Sequence, residues 1–228
     1  MRAVLAWGVH LYTASSAAFG VWALFALFSH EYRLAIYLML LTMVIDSTDG
    51  ALARAADVKG RIPWFDGSKL DDIVDYFTYV IVPACLLVEA GLLPDPLWVV
   101  APLLAACYQF SRADAKTADH FFLGFPSYWN VVAIYLYLLD VRPEVGLWWV
   151  LGFSIASFIP LRYLYPSRSR ILRPLTLAVL AAWLFGFSWI AVRPDPDPLW
   201  VWLSLLAPAY YLGLSLLLNV FTLREEQT

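Results

Sequence analysis

The chain has 228 residues, of which 62% are hydrophobic, 17% aromatic and 14% charged; an average soluble domain is roughly 45–50% apolar and about 25% charged. That balance excludes an ordinary soluble enzyme and describes an integral membrane protein. With 15 Lys plus Arg against 18 Asp plus Glu, the chain also lacks the basic excess that nucleic-acid binding requires.

Taken in chain order, apolar runs broken by Pro, Gly and charge predict spans over residues 5–28, 33–55, 70–93 and 96–111, followed by 128–139, 146–164, 172–192 and 198–221. The first run is too long for the apolar core of a signal peptide, about 7–15 residues, and reads as a retained helix. The fifth is the shortest. Without an internal repeat or a low-complexity linker, the expectation is one all-α polytopic domain over residues 1–228 with about eight transmembrane helices. Charge tests the count. With a cytoplasmic N-terminus, alternate connections place twelve of the fifteen basic residues inside, leaving only Arg33, Arg142 and Arg193 outside. The positive-inside rule then puts both termini in the cytoplasm. Cys85 and Cys107 lie in apolar runs without a CxxC or a partner His, so they are expected to be buried small hydrophobes.

Four acids stand out. Asp46 and Asp49 are three apart near the inner end of the second span, and Asp71 and Asp75 are four apart at the start of the third. Each pair therefore shares a helix face. Asp46 is the fourteenth residue of a span entering from outside, about 20 Å along the helix and roughly 10 Å short of the inner interface. Asp75 reaches a similar depth from the other direction. An Asp at a span's centre costs about 2.5–3.5 kcal/mol even on lenient insertion scales, so such a cluster must be neutralised. Two divalent hard cations would do so, and oxygen-only ligation favours Mg²⁺ or Mn²⁺ over zinc. Paired metals suit displacement at phosphorus. Gly50 and Ala53 follow Asp46 on its own face, Arg54 offers a bidentate anion binder, and Gly67 precedes Asp71 by one helical turn. Those small residues suit either close approach of a phosphate or ordinary helix packing.

The stretch Asp46-Ser-Thr-Asp49-Gly50-Ala-Leu-Ala53-Arg54, followed by Gly67-Ser-Lys-Leu-Asp71-Asp-Ile-Val-Asp75, resembles the signature of the CDP-alcohol phosphotransferase family, DxxDGxxAR and GxxxDxxxD, at all eight defining positions. The spacer of twelve residues between Arg54 and Gly67 is longer than usual and resembles that of the family's bacterial phosphatidylcholine synthases. Residues 111–130 and 160–168 are also similar to that branch. The likeness runs from about His10 to Arg173, while the last two spans contribute only hydrophobicity. The resemblance implies a bacterial inner-membrane, multi-pass enzyme with its active site on the cytoplasmic side. Its reaction would transfer the phosphatidyl group of CDP-diacylglycerol to choline and release CMP. It further implies two metals, Mn²⁺ or Mg²⁺, on Asp46, Asp49, Asp71 and Asp75, with Asp75 also taking the choline proton. Gly50, Ala53, Arg54, Gly67 and Thr13 would contact the nucleotide diphosphate.

A choline ammonium offers no hydrogen-bond donor and is best held by aromatic faces with a carboxylate nearby. Tyr76 and Tyr79 beside Asp75, Tyr128 and Trp129 at the fifth span, and Asp119 in the preceding connection are the candidates, although for any one of them a structural role is the more ordinary explanation. Asp72 suits either a solvated acid or a supporting role, and His10 is expected to be hydrogen-bonded inside the bundle. Arg162, Arg168, Arg170 and Arg173 are a topology signal first and a lipid or diphosphate clamp second. The expected partners are CDP-diacylglycerol, choline and membrane lipids, and the sequence leaves open a homodimer. Transfer to serine, inositol or glycerol phosphate is the nearest rival reading. A cation transporter would call for repeated halves with broken helices, which the sequence does not display.

The charge asymmetry makes a direct prediction. In a background without native cysteines, single cysteines at Lys59 and Asp195 should react with an impermeant thiol reagent from opposite membrane faces. Labelling of both from one face would overturn the eight-span arrangement.

Overall fold

A computed structural model describes residues 2–166, 168 and 171–225. Arg170 and the side chains of Arg2 and Arg224, counted above for topology, lie outside that description. The chain is mostly helical. Helix α1 covers Arg2–Phe28 and α2 Tyr32–Ala55, and a single turn, α3 (Val58–Arg61), follows. The third apolar run starts earlier than expected, at Gly67, because the Asp66 carboxylate caps α4 (Gly67–Asp75) by accepting from the Ser68 and Lys69 amides, both at 3.1 Å. A π-helical segment, Tyr76–Ile81, then joins α4 to α5 (Val82–Glu89). Pro83 has no N–H to return to the Tyr79 carbonyl, which relieves the α-helical register at that point.

Beyond a short 3₁₀ turn, Pro96–Val99, lie α6 (Val100–Ser111), α7 (Trp129–Leu138) and α8 (Pro143–Phe158). Two long apolar stretches complete the chain: α9 (Arg173–Ala191), and α10 (Pro198–Ser204) running into α11 (Leu206–Glu225). Four helical stretches are long and apolar enough to cross a bilayer: Ala3–Phe28, Tyr32–Ala55, Arg173–Ala191 and Pro198–Asn219. Pro96–Ser111 and Trp129–Leu138 are apolar but shorter. Trp22, Phe25, Leu104, Trp148, Phe185, Trp189 and Trp202 are all exposed on helix surfaces, a distribution that suits lipid rather than water. The protein is a multi-pass membrane protein.

The expectation of an all-α chain needs correction. Residues 162–164, assigned above to the sixth span, form strand β2 (Arg162–Leu164), which pairs antiparallel with β1 (Phe121–Leu123), Phe122 opposite Tyr163. Lys116 extends the ribbon by a bridge to Phe122. Helix α8 ends at Phe158 because Pro160 follows, and the residue before a proline is pushed towards extended backbone.

The free edge of β2 is closed by a helix. Asn219 accepts from the Arg162 amide at 2.8 Å and donates to its carbonyl at 2.7 Å. Ser215 accepts from the Leu164 amide at 3.0 Å, and the Tyr211 hydroxyl donates to the Leu164 carbonyl at 2.9 Å. These three side chains, four residues apart on one face of α11, stand where a third strand would otherwise be needed. The last span therefore contributes more than hydrophobicity.

The main core lies where α1, α2, the π segment and α5 meet α7 to α9, with Leu27, Ile36, Met39, Val80, Leu86, Ile134, Val150 and Phe187 almost wholly buried. A hydroxyl chain crosses it: Trp183 Nε1 donates to the Tyr135 hydroxyl at 2.9 Å, and that hydroxyl lies 2.8 Å from Ser204 Oγ. Of the cysteines expected to be buried, Cys85 is half-buried and Cys107 is exposed, with its sulfur 3.0 Å from the Tyr76 hydroxyl.

The ribbon docks on the end of α8 and the link that follows it, through the Phe125 amide, 3.2 Å from the Ala156 carbonyl, and the Gly124 amide, 2.9 Å from that of Leu161. Gly124 has φ +80°, and a Cβ there would strike the Ser157 carbonyl. Gly124→Ala should therefore destabilise the fold by more than about 1 kcal/mol, read as a lower unfolding temperature in detergent.

Candidate active site

Two helices carry the acids. Asp46 and Asp49 face Asp71 across the contact between α2 and α4, and one oxygen from each of the three lies within 4.8 Å of the others. Asp49 is buried, while Asp46, Asp71 and Asp75 are half-buried. Asp75 lies one turn deeper on α4, inside the electrostatic reach of Asp46, Asp71 and Asp49. Among the described residues, no hydrogen bond occupies the Asp75 carboxylate. Three of the four acids, Asp46, Asp49 and Asp71, thus come together at the junction of α2, α4 and the π segment, with Asp75 within their electrostatic reach.

Two of the carboxylates are oriented by hydroxyls. The buried Thr13 Oγ1 on α1 donates to Asp49 Oδ2 at 2.7 Å, and the buried Tyr79 hydroxyl donates to Asp46 Oδ2 at 2.6 Å. The π segment brings Tyr79 onto this face. Each acid keeps a second oxygen for a cation, and the donors present are all oxygens, the set that hard divalent ions prefer. Oxygens around an octahedral Mg²⁺ at about 2.1 Å are at most about 4.2 Å apart, so the triad need only close slightly to take one. The residues fit a divalent metal.

The small residues of the motif divide by environment. A Cβ added at Gly50 would meet only Arg54 NH1, at 3.4 Å. The guanidinium thus folds back over Gly50 on an exposed stretch of α2, with the half-buried Ala53 beside it. Gly67 is different, since a Cβ there would lie 2.7 Å from His10 Cε1. Its lack of a side chain admits the His10 ring, which also packs against Phe65 with centroids 4.5 Å apart. The expected hydrogen bond to His10 is not found at its Nε2, which is buried without a partner among the described residues.

The aromatic candidates are spread out. Tyr79 is committed to Asp46. The Tyr76 hydroxyl points to Cys107 and to the Leu103 carbonyl at 3.4 Å. Trp129 is buried in the main core against Phe125, with centroids 5.3 Å apart. Tyr128 packs edge-on to Tyr211 at 6.0 Å and is within electrostatic reach of Asp46 and Asp75, so it is the candidate that the fold brings to the acids. Asp119 is paired with Arg162 at 3.2 Å across the ribbon. Donation from Thr117, with help from Arg162, holds its carboxyl below the ordinary value.

Sequence reasoning missed Lys116, which entered only as one positive-inside charge. Its Nζ lies 3.6 Å from Asp72 Oδ1, and its charge is felt at Asp46, Asp71 and Asp75. Burial alone would lower the pKa of this ammonium, but Asp72, Tyr165, Asp71 and Asp75 outweigh it and leave it raised. No local pattern announces this, because the contact depends on the ribbon. Tyr211, Ser215 and Asn219 were missed too, although polar residues four apart in an apolar helix are a readable signal.

A cluster of acids from DxxDGxxAR and GxxxDxxxD, assembled on neighbouring membrane helices, defines a class. The profile described as CDP-alcohol phosphatidyltransferase matches residues 10–159, and the chain belongs to that family, whose members generally use divalent metals. More particularly, it is 43% identical over 223 residues to a phosphatidylcholine synthase of Legionella pneumophila, covering 92% of this chain and 87% of that protein. Identity to the phosphatidylcholine synthase of Pseudomonas aeruginosa is 37% over 215 residues, 92% and 90% of the two chains. To that of Agrobacterium fabrum it is 31% over 212 residues, 92% and 88% of the two.

The hydroxyl contacts lead to a test. Outer partners that orient metal ligands are typically worth about 10–100-fold in affinity, so Thr13→Val and Tyr79→Phe should each weaken Mn²⁺ binding by about that factor. Calorimetric titration of the purified protein measures it, and parental affinity in both variants would show that the hydroxyls do not orient ligands.

Proposed function

We propose that this chain transfers the phosphatidyl group of CDP-diacylglycerol to choline, giving phosphatidylcholine and CMP, in a bacterial inner membrane with its site open to the cytoplasm. The observation that carries the reading is the convergence of Asp46, Asp49 and Asp71, with the uncommitted Asp75 beside them. Support comes from membership of the CDP-alcohol family and from likeness, over most of the chain, to proteins named phosphatidylcholine synthase.

The cluster would hold two divalent cations, Mg²⁺ or Mn²⁺, on Asp46, Asp49, Asp71 and Asp75. Such ions supply charge stabilisation to a phosphoryl group in transfer. The protein's part is positioning and proton transfer. Thr13 and Tyr79 keep two carboxylates turned towards the ligand. Gly50 leaves room above α2, with Ala53 and Gly67 keeping the walls low, and the Arg54 guanidinium is free to turn from Gly50 to the nucleotide diphosphate. The choline oxygen attacks the phosphorus bearing the diacylglycerol while the bond from that phosphorus to the CMP oxygen breaks. Asp75 takes the hydroxyl proton, because a neutral alcohol is a poor nucleophile and needs a base within hydrogen-bond reach.

The acceptor is read as choline because an aromatic side chain, Tyr128, packed against Tyr211, lies within electrostatic reach of Asp46 and Asp75, and because the relatives matched over most of the chain are named phosphatidylcholine synthase. The donor's acyl chains stay in the bilayer, which accounts for chemistry on membrane helices. We read about eight crossings with both termini inside. The helical path from Gly67 to Glu89 is then one broken span of about 35 Å, and the shorter helices are the remaining ones.

Incubating the purified protein with CDP-diacylglycerol, Mn²⁺ and separately labelled choline, serine, inositol and glycerol phosphate should give lipid product with choline alone. Preferential use of another alcohol would transfer the assignment to that acceptor. With choline, Asp75→Asn should lower turnover by about 10²–10⁴-fold with partial recovery at high pH, where more alkoxide is present; turnover at the parental rate would remove Asp75 as the base.

A further inference from the structure

The segment between α6 and β1 is short, yet it is heavily tied down. Arg112 forms a two-point ion pair with Asp114, both contacts at 2.8 Å. The Leu123 amide donates to the Ala115 carbonyl at 3.0 Å, and the Thr117 amide to the Phe121 carbonyl at 2.8 Å. The Phe121 amide returns to Thr117 Oγ1 at 2.9 Å. Between those anchors Lys116 is held as a bridge residue against Phe122. The fold thus builds a strap in which Arg112 is taken up by Asp114 and Lys116 leans over the acids of α4.

The visible partner of that ammonium does not account for the construction. Lys116 and Asp72 are 3.6 Å apart, and both side chains are about half exposed, 52% and 45%. A pair so open contributes little to stability. A diphosphate poised over Asp46, Asp71 and Asp75, by contrast, brings further negative charge into a region already acidic. A compact ammonium with three rotatable donors suits a non-bridging phosphate oxygen there. The Lys side chain is long and its hold on Asp72 loose, so it can change partner without moving the strap.

We propose that Lys116 binds the diphosphate of the CDP-linked donor, exchanging Asp72 for a phosphate oxygen when the donor arrives. It acts in donor binding rather than in acceptor recognition, since a cation placed against choline would repel it. The strap and ribbon, outside the eight-residue signature, thereby add a phosphate contact to the motif's own. The proposal rests on reading the donor as a CDP-linked diphosphate.

The test uses the full chain in detergent with Mn²⁺, comparing parent, K116M, K116R and D72N. CDP, a soluble probe that carries the diphosphate, is titrated by calorimetry in the absence of any acceptor. Steady-state KM values are then measured for CDP-diacylglycerol and for the accepted alcohol. K116M should weaken CDP binding by about ten- to a hundredfold, the change expected for one charge-assisted hydrogen bond. It should lower kcat/KM for the donor similarly and leave the acceptor KM alone, while K116R recovers most of the loss and D72N does not reproduce it. Parental CDP affinity in K116M would overturn the proposal, as would a loss confined to the acceptor KM. An equal loss in K116R accompanied by a fall in unfolding temperature would also overturn it, by making Lys116 structural. Because the CDP arm contains no acceptor, a wrong choice of choline in the proposed function would leave this outcome unchanged.

Discussion

Everything in this protein is arranged around the cost of holding several carboxylates together at the edge of a membrane. Two unit charges within 4.8 Å repel by upward of about 3 kcal/mol at an effective dielectric near 20, and the apolar surroundings offer little water to relieve it. Such a cluster is tolerated only if cations meet it and hydrogen-bond donors share its charge. The contacts of Thr13 with Asp49 and of Tyr79 with Asp46 are donors of that kind. They come from two elements, α1 and the π segment, that carry none of the four acids.

That need explains a local irregularity. A regular α-helix through residues 67–89 would require an amide at Pro83 that the residue lacks, and the chain answers with the π segment. The wider turn falls between Asp75 and the apolar end of the span, and Tyr79 within it reaches Asp46 on α2. One proline thus couples the depth of the acids to the placing of a hydroxyl on them. On the other side, Gly67 lets His10 of α1 lie close against the start of α4, so that Thr13, one turn further along α1, meets Asp49.

The ribbon meets the same constraint from the water side. Backbone groups of two short strands at the membrane boundary cannot be left unpaired. Tyr211, Ser215 and Asn219 of α11 satisfy the edge of β2, which in turn fixes β1 and the strap carrying Lys116. A helix at the far end of the sequence therefore sets where a cation stands relative to acids on α4. The coupling passes through hydrogen bonds rather than through the apolar core.

The sequence by itself determined the membrane class, the helical character, the Asp46–Asp49 and Asp71–Asp75 pairs with their small neighbours, and hence the family. These features are encoded locally, in composition, in runs of apolar residues and in spacings of three and four that one helix face expresses directly. Only the tertiary structure decided that residues 162–164 are a strand rather than the end of a span, because a three-residue stretch, Arg-Tyr-Leu, is neutral between the two until it finds a partner at residues 121–123. It alone separated Tyr128, near the acids, from Trp129, packed in the core, and Asp119, paired with Arg162. It also turned Lys116 from one charge among twelve into a neighbour of the acidic cluster. Those outcomes depend on which distant segments meet, and a meeting between residues about 40 positions apart leaves no periodic trace in either segment.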